Sequence, residues 1–246
     1  MAIIKRRVLM SINVIMIQTQ SIFFSDRIWI YGMLLAATTI FVTCQSNHKD
    51  ITESVAIASA KFSDRVYRDS NEFYFPMEVF RDTSLYVGRD TFINSWYSEQ
   101  LFAMREPILY LENGSNEIYR FTWLRTFHNP IAIRIEKNGH DYILFWKQCS
   151  GAGGYEPGNI EVSTQRVISK VQWDKFKSKV HTLNFWNMNT NEGETLGTDG
   201  SRWILEGKEA NKYHVVDRWT PNEKSNFYRC CDFLIQLTDL NVNNKY

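Results

Sequence analysis

Residues 131–146 have the sequence IAIRIEKNGHDYILFW, and this stretch decides the class of fold. Isoleucines at alternate positions from 131 to 135 share one face, with Arg134 and Glu136 on the other, which is the period-two pattern of a half-buried strand. Asn138-Gly139 separates this run from a second apolar run and suits the positive φ angles of a type I′ turn. The stretch therefore predicts a β-hairpin in an antiparallel sheet with one covered side.

Similar patterns occur on both sides of this hairpin. Residues 108–125, ILYLENGSNEIYRFTWLR, predict a second hairpin around Asn113-Gly114. Residues 159–169, NIEVSTQRVIS, predict a further strand. Residues 199–221, DGSRWILEGKEANKYHVVDRWTP, predict a hairpin in which SRWILEG and YHVVDRW are joined around KEAN.

Three helices are predicted between and after the strands. Asp90 has the position of an N-cap before a helix that Pro107 terminates. Ser169 and Gln172 have the spacing of a capping box. Apolar residues at helical spacing follow in two places: Trp173, Phe176, Val180 and Leu183, and then Phe227, Cys230, Cys231, Leu234 and Leu237.

This succession predicts an α+β fold, with a mostly antiparallel sheet built from hairpins and a few packed helices. We expect residues 90–246 to form a single domain. Residues 44–89 are interpreted as a tether and a poorly readable N-terminal region, and residues 1–43 as a signal or anchor segment.

The segment 28–43, IWIYGMLLAATTIFVT, is almost uncharged, and Cys44 follows it directly. An apolar run that ends at a cysteine is similar to a bacterial lipoprotein signal, which implies that Cys44 is acylated, for example with palmitate. The alternative is a membrane-spanning anchor, although the run is shorter than the about 20 apolar residues that a spanning helix needs. Both alternatives predict a protein attached to a membrane of the bacterial cell envelope and facing the periplasm or the exterior.

Composition excludes several classes of function. The chain has 246 residues and a net charge of +1, so it lacks the basic excess of a nucleic-acid-binding protein. Its five histidines show no metal-ligand spacing, and we expect no metal and no cofactor.

The hairpin at 199–221 contains the candidate catalytic residues Glu206, His214 and Arg218. His214 and Arg218 share a strand face, and the register decides whether that face matches Glu206 or Trp203. In the first register Glu206 and His214 could act as a general acid–base pair, with Arg218 holding an anionic group. A hydrogen-bonded ion network with a purely structural role is the favoured interpretation.

Two other groups of residues were considered as sites. Arg120, Arg125, His128 and Arg134 could line an anion-binding surface, but we prefer the interpretation that arginines cover the outer face of the sheet and stack on aromatic rings. Cys149 could form a disulfide with Cys230 or Cys231 in an oxidising compartment, or all three could be buried free thiols. Nothing in the spacing favours Cys149 as a nucleophile with His214 or His128 as its base.

The motifs D-G-x-x-W-x-x-E-G at 199–207 and Y-H-x-V-x-R-W at 213–219, together with GAGGYEPG at 151–158, resemble a family of uncharacterised bacterial secreted or lipid-anchored proteins. The resemblance covers about residues 105–240 and implies an envelope location without an established activity. Three hypotheses follow: a membrane-tethered lipoprotein that binds an unknown protein or small-molecule ligand, an envelope hydrolase that uses Glu206 and His214, and an immunity-type inhibitor of a toxin.

Overall fold

A computed structural model describes residues 72–80, 89–192 and 199–242, and these fall within one compact unit. Cys44 and the apolar segment 28–43 lie outside the described residues. No helix in the described part of the chain is long and apolar enough to cross a membrane.

The described residues form one six-stranded antiparallel sheet with three α-helices and two short 3-10 helices, which confirms the α+β prediction. The strand order is β4-β3-β2-β1-β5-β6. The elements are α1 (Arg89–Ala103), a 3-10 helix (Leu109–Leu111), β1 (Glu117–Arg125), β2 (Ile131–Asn138), β3 (Asp141–Cys149), β4 (Ile160–Val167), α2 (Lys170–Leu183), a 3-10 helix (Phe185–Asn187), β5 (Ser201–Glu209), β6 (Lys212–Trp219) and α3 (Asn226–Gln236).

The hairpin predicted around Asn113-Gly114 is wrong. Leu109–Leu111 is a 3-10 helix, and β1 begins only at Glu117. Both edges of β1 are occupied by other strands, since β1 pairs with β2 on one side and with β5 on the other. Neither edge of β1 is therefore available to form a hairpin with the residues that precede it.

The hairpin of β2 and β3 is confirmed, but its turn lies one residue later than predicted. Asn138 pairs with Asp141, so Gly139 and His140 are the central residues of the turn. Only Gly139 of these two has a positive φ, at 61°. This is the pattern of a type II′ turn, in which glycine occupies the first central position.

Both sides of the sheet are covered, which corrects the prediction of one covered side. On one side, the α2/α3 face, the large aromatic residues of β1 and β5 pack against Trp173, Phe176 and Phe227 of the helices. On the other side, the α1 face, Leu124 and Ile204 pack with Tyr97 and Leu101 of α1. Arg134 and Glu136 suggested a solvent-facing side, yet each is at most 5% exposed.

The domain begins before residue 90, the boundary predicted from sequence. Tyr74, Phe75 and Phe80 are buried in the cluster on the α1 face. Asp90 lies within the first turn of α1, and its carboxylate accepts hydrogen bonds of 2.8 Å from the backbone N–H groups of Glu78 and Phe80. This aspartate therefore fixes the preceding segment on the domain, whereas the sequence predicted it to be an N-cap.

Helix α2 follows its sequence pattern closely. Ser169 accepts a hydrogen bond from the backbone N–H of Gln172, and the Gln172 side chain accepts one from the backbone N–H of Ser169, so the predicted capping box is present. The predicted apolar stripe, Trp173, Phe176, Val180 and Leu183, is buried.

We expect Ser169→Ala to lower the free energy of unfolding by about 1 kcal/mol, because the backbone N–H of Gln172 at the start of α2 loses the Ser169 hydroxyl as its acceptor. Ser178→Ala is the matched control, since Ser178 is exposed in the middle of the same helix. Urea unfolding followed by tryptophan fluorescence measures both changes. Equal effects of the two substitutions would contradict the capping role.

Candidate functional site

The register of β5 and β6 separates the predicted catalytic pair. Glu206 pairs with Val215, and His214 pairs with Gly207. Because neighbouring side chains on a strand point to opposite faces, Glu206 lies on the α1 face, whereas His214 and Arg218 lie on the α2/α3 face. The hypothesis of a hydrolase that uses Glu206 and His214 together is therefore wrong.

Glu206 belongs to a buried ion pair instead. Its Oε2 accepts a hydrogen bond of 2.6 Å from Nε of Arg120, and its Oε1 accepts one of 2.9 Å from the Tyr213 hydroxyl. Burial raises the pKa of Glu206, although Arg120 opposes the shift. A raised pKa is common in catalytic carboxyl groups, but Glu206 and Arg120 are both completely inaccessible to solvent and cannot contact a substrate.

A second carboxylate, Glu106, connects this pair to the neighbouring strands. Glu106 Oε2 lies 2.8 Å from Nε of Arg134 and 3.7 Å from Nη1 of Arg120, and Oε1 lies 3.0 Å from Nζ of Lys147. Burial would raise the pKa of Glu106, but the charges of Arg134, Lys147 and Arg120 outweigh it and lower the pKa to about 2. The carboxylate is therefore charged at neutral pH.

We call these charged residues the α1-face ion network. Its members are Glu106, Arg120, Arg134, Glu136, Lys147 and Glu206, which carry three positive and three negative charges. Balanced charge and mutual hydrogen bonds are typical of a structural network. The favoured interpretation of Glu206 as part of such a network is consistent with these contacts, but its partners are not the predicted His214 and Arg218.

The four residues considered as an alternative anion-binding surface do not come together as one. Arg120 and Arg134 are buried in the α1-face ion network, so they neither bind external anions nor cover an outer face. Arg125 stacks over the Trp123 ring at 4.6 Å and donates a hydrogen bond of 3.0 Å to the carbonyl of Asn129. His128 lies in the turn between β1 and β2.

His214 is packed among aromatic rings. Its ring lies 5.1 Å from that of Phe185 and 6.4 Å from that of Trp186. Burial lowers the pKa of His214, although a hydrogen bond with the backbone of Met188 opposes the shift. Nε2 is buried and has no hydrogen-bond partner among the described residues. A neutral imidazole in this setting serves packing better than proton transfer.

Of the two alternatives for the cysteines, the structure shows buried free thiols and no disulfide among the described residues. Cys149, Cys230 and Cys231 are free and buried, and the sheet separates Cys149 on the α1 face from the other two on the α2/α3 face. Burial raises the pKa of the Cys149 thiol to about 11 and that of Cys230 to about 12. Thiols with such pKa values are protonated at neutral pH and poor nucleophiles.

A cavity of about 510 Å³ lies at the end of edge strand β6, and we call it the edge-strand cavity. The start of α3, the end of α2 and the start of α1 all contribute to its walls. Its lining residues are Phe80, Ile93, Leu183, Met188, Asn191, Glu192, Arg202, Asp217, Arg218, Trp219, Thr220, Pro221, Asn222, Ser225, Asn226 and Phe227.

Arg218 is fixed in the wall of this cavity. Its Nη1 donates hydrogen bonds to the carbonyls of Thr190 and Asp217, its Nη2 donates to the carbonyl of Asn189, and its Nε lies 3.1 Å from Glu192. Burial lowers the pKa of Arg218, and Glu192 opposes the shift. Of the three predicted catalytic residues, Arg218 is the one that lines the cavity.

Besides Glu192, two further charged residues of the cavity, Asp217 and Arg202, were not singled out from the sequence. Asp217 Oδ2 accepts a hydrogen bond of 2.8 Å from the Tyr97 hydroxyl and lies 3.6 Å from Nη1 of Arg202. The Arg202 guanidinium stacks over the Trp219 ring at 5.1 Å. Both residues lie within the quoted hairpin, but only knowledge of the register and of α1 brings them together with Tyr97.

A comparison of the chain with models of known protein families finds no match, and a comparison with curated proteins finds none either. The resemblance to bacterial lipid-anchored proteins therefore stays a prediction.

We expect the effects of Glu206→Gln and His214→Ala on the free energy of unfolding to be additive within about 0.5 kcal/mol, because the two side chains occupy opposite faces. Glu206→Gln alone should destabilise the protein by about 3 kcal/mol, since it leaves Arg120 buried with less compensating charge. The control cycle of Arg120→Met with Glu206→Gln should show coupling above about 1 kcal/mol. Strong coupling between positions 206 and 214 would contradict the observed register.

The low pKa of Glu106 predicts an acid-dependent stability. A carboxyl group whose pKa is about 2 in the folded state and 4.5 ordinarily stabilises the fold above pH 4.5, and this contribution is lost as the pH falls toward 2. The difference in free energy of unfolding between wild type and Glu106→Gln should therefore shrink by about 3 kcal/mol over this range. Urea unfolding at successive pH values measures it, and a constant difference would refute the assignment.

Proposed function

We propose that this protein is a membrane-tethered lipoprotein of the bacterial cell envelope whose α+β domain binds a small-molecule ligand in the edge-strand cavity. The observation that carries the proposal is the cavity itself. Its volume of about 510 Å³ falls within the range of about 300 to 1,000 Å³ that is typical of small-molecule sites. Its lining combines apolar side chains such as Phe80, Ile93 and Phe227 with several polar and charged ones.

The distribution of charged residues favours binding over catalysis. Glu206 and Glu106 have no access to solvent and are held by arginines, and the three described thiols are buried and protonated at neutral pH. The charged groups that line the cavity are two guanidiniums and two carboxylates, and ion-pair contacts join them in pairs: Arg218 with Glu192, and Arg202 with Asp217. This arrangement suits orientation of a ligand.

The tether rests on the sequence. The apolar run 28–43 ends at Cys44, and the chain becomes polar immediately afterwards. Residues 45–71 separate Cys44 from the first described residues, so the proposed ligand-binding domain would be attached to the membrane through this segment.

We expect Cys44→Ser to abolish incorporation of radiolabelled palmitate and to release the protein from the membrane fraction, because acylation at this position is the proposed attachment. Cys149→Ser, at a buried thiol, is the matched control and should leave both unchanged. Labelling followed by fractionation of bacterial cells measures the two effects. If the Cys44→Ser protein stays in the membrane fraction without label, the result would indicate a membrane-spanning segment as the attachment in place of a lipid anchor.

We expect phenylnaphthylamine, an uncharged probe that fluoresces in apolar sites, to bind the protein at one saturable site. Asn226→Phe should weaken this binding at least about tenfold, because Asn226 is exposed at the start of α3 and lines the cavity. Glu223→Phe is the matched control, at an exposed position nearby that does not line the cavity. Absence of saturable binding, or equal effects of the two substitutions, would argue against the cavity as a ligand site.

A further inference from the structure

We infer that the ligand of the edge-strand cavity carries a carboxylate, that Arg202 binds this carboxylate, and that an apolar part of the ligand occupies the rest of the cavity. This inference rests on the proposed function and names the chemical class of the ligand. It depends on a difference between the two arginines of the cavity in hydrogen bonding and in exposure to solvent.

Most of the hydrogen-bonding capacity of Arg218 is used by the protein itself. Three backbone carbonyls accept hydrogen bonds from its two terminal nitrogens, and Glu192 lies 3.1 Å from its Nε. Its side chain is 6% exposed. Arg218 therefore holds the segment that contains Asn189 and Thr190 beside β6, which is a structural role.

Arg202 is held much more loosely. Its contact with Asp217 is 3.6 Å long, beyond hydrogen-bond distance, and its side chain is 20% exposed. Its Nε has no hydrogen-bond partner among the described residues. Because Nε is buried, a ligand in the cavity can reach this guanidinium only through its terminal nitrogens, one of which makes the long contact with Asp217.

The geometry of Arg202 favours a planar anion. Trp219 lies directly opposite Arg202 in the β5–β6 ladder, and the guanidinium stacks over its ring. The contact with the ring restricts the positions that the guanidinium can adopt. Two parallel N–H groups match the two oxygens of a carboxylate, and such paired bonds are among the strongest hydrogen bonds in proteins.

The carboxylates of the cavity do not exclude an anion. Asp217 accepts a hydrogen bond from Tyr97 in addition to its contact with Arg202, and Glu192 lies against Arg218. The charges of the described lining residues thus sum to zero. A carboxylate bound to the terminal nitrogens of Arg202 adds hydrogen bonds that Asp217, at 3.6 Å, does not supply.

The other walls specify the rest of the ligand. Apolar side chains lie on both sides of the C-terminal end of β6: Phe227 and Leu183 on the α2/α3 face, and Ile93 and Phe80 on the α1 face. An anionic group on an apolar body of a few ring or chain carbons therefore matches both parts of the lining. Hydrocinnamate, a phenyl ring on a short chain that ends in a carboxylate, is a suitable probe, and hydrocinnamide is its uncharged counterpart.

The experiment compares these two probes on the full-length wild-type protein in detergent micelles by isothermal titration calorimetry. We expect hydrocinnamate to bind at least about tenfold more tightly than hydrocinnamide, because charge-assisted hydrogen bonds to Arg202 form only with the acid. Equal affinities would overturn the inference. Tighter binding of phenyl phosphate than of hydrocinnamate would also overturn it and would assign a phosphate ligand instead.

Substitution of Arg202 tests whether this residue is the receptor. Arg202→Gln should remove the preference for the acid over the amide, and Arg202→Lys should retain part of it, since lysine keeps the charge but loses the planar pair of donors. Lys175→Gln, at an exposed position on α2 that does not line the cavity, should leave the preference unchanged. A preference that survives in Arg202→Gln would refute the assignment.

The outcomes also separate this inference from the proposed function. If phenylnaphthylamine binds the cavity but hydrocinnamate shows no advantage over its amide, the cavity is a ligand site and the carboxylate assignment is wrong. If phenylnaphthylamine, hydrocinnamate and hydrocinnamide all fail to bind, both the inference and the proposed ligand-binding function are wrong.

Discussion

The ion pair between Arg120 and Glu206 is the interaction on which the rest of the structure depends. Arg120 lies in the central strand β1 and Glu206 in its neighbour β5, and neither side chain has any access to solvent. Two such charges can be buried only if each compensates the other and their remaining hydrogen bonds are satisfied. The Tyr213 hydroxyl and the carbonyl of Pro107 supply these bonds, and the Glu106 carboxylate lies 3.7 Å from Arg120. The positions of β6 and of the loop after α1 are therefore coupled to this pair.

The same constraint explains how one face of the sheet can be polar in sequence and buried in the fold. Arg134 and Glu136 alternate with isoleucines along β2, and the alternation resembles that of a sheet with one face in water. The charged side chains compensate one another in the α1-face ion network, so that α1 and residues 72–80 can cover them. Such a network contributes less to stability than an equally well-packed apolar core, and we regard it mainly as a device that fixes the register of the strands.

The edge-strand cavity lies at the end of β6, beyond the part of the sheet where the charged side chains of the α1-face ion network are buried. At the last residues of β6 the strand has no further neighbour in the sheet, and residues 189–192 run beside it, with Thr190 accepting a hydrogen bond from the backbone of Asp217. Arg218 secures this covering segment, and Arg202 remains accessible in the cavity wall. Two arginines that are sixteen positions apart in the sequence thus receive different roles, one structural and one available for a ligand.

Sequence patterns predict the α+β class, the β2–β3 hairpin, the capping box of α2 and the apolar stripes of two helices, because these features depend on residues close together in the chain. They could not determine the side of the sheet on which Glu206 and His214 lie, since the strand alternation allowed two registers and the partners of Glu206 are Arg120, eighty-six positions away, and Tyr213. They also missed the burial of residues 72–80 and the separation of Cys149 from Cys230 and Cys231. These properties depend on contacts across the sheet between residues that are far apart in the chain. Local sequence patterns therefore do not specify them.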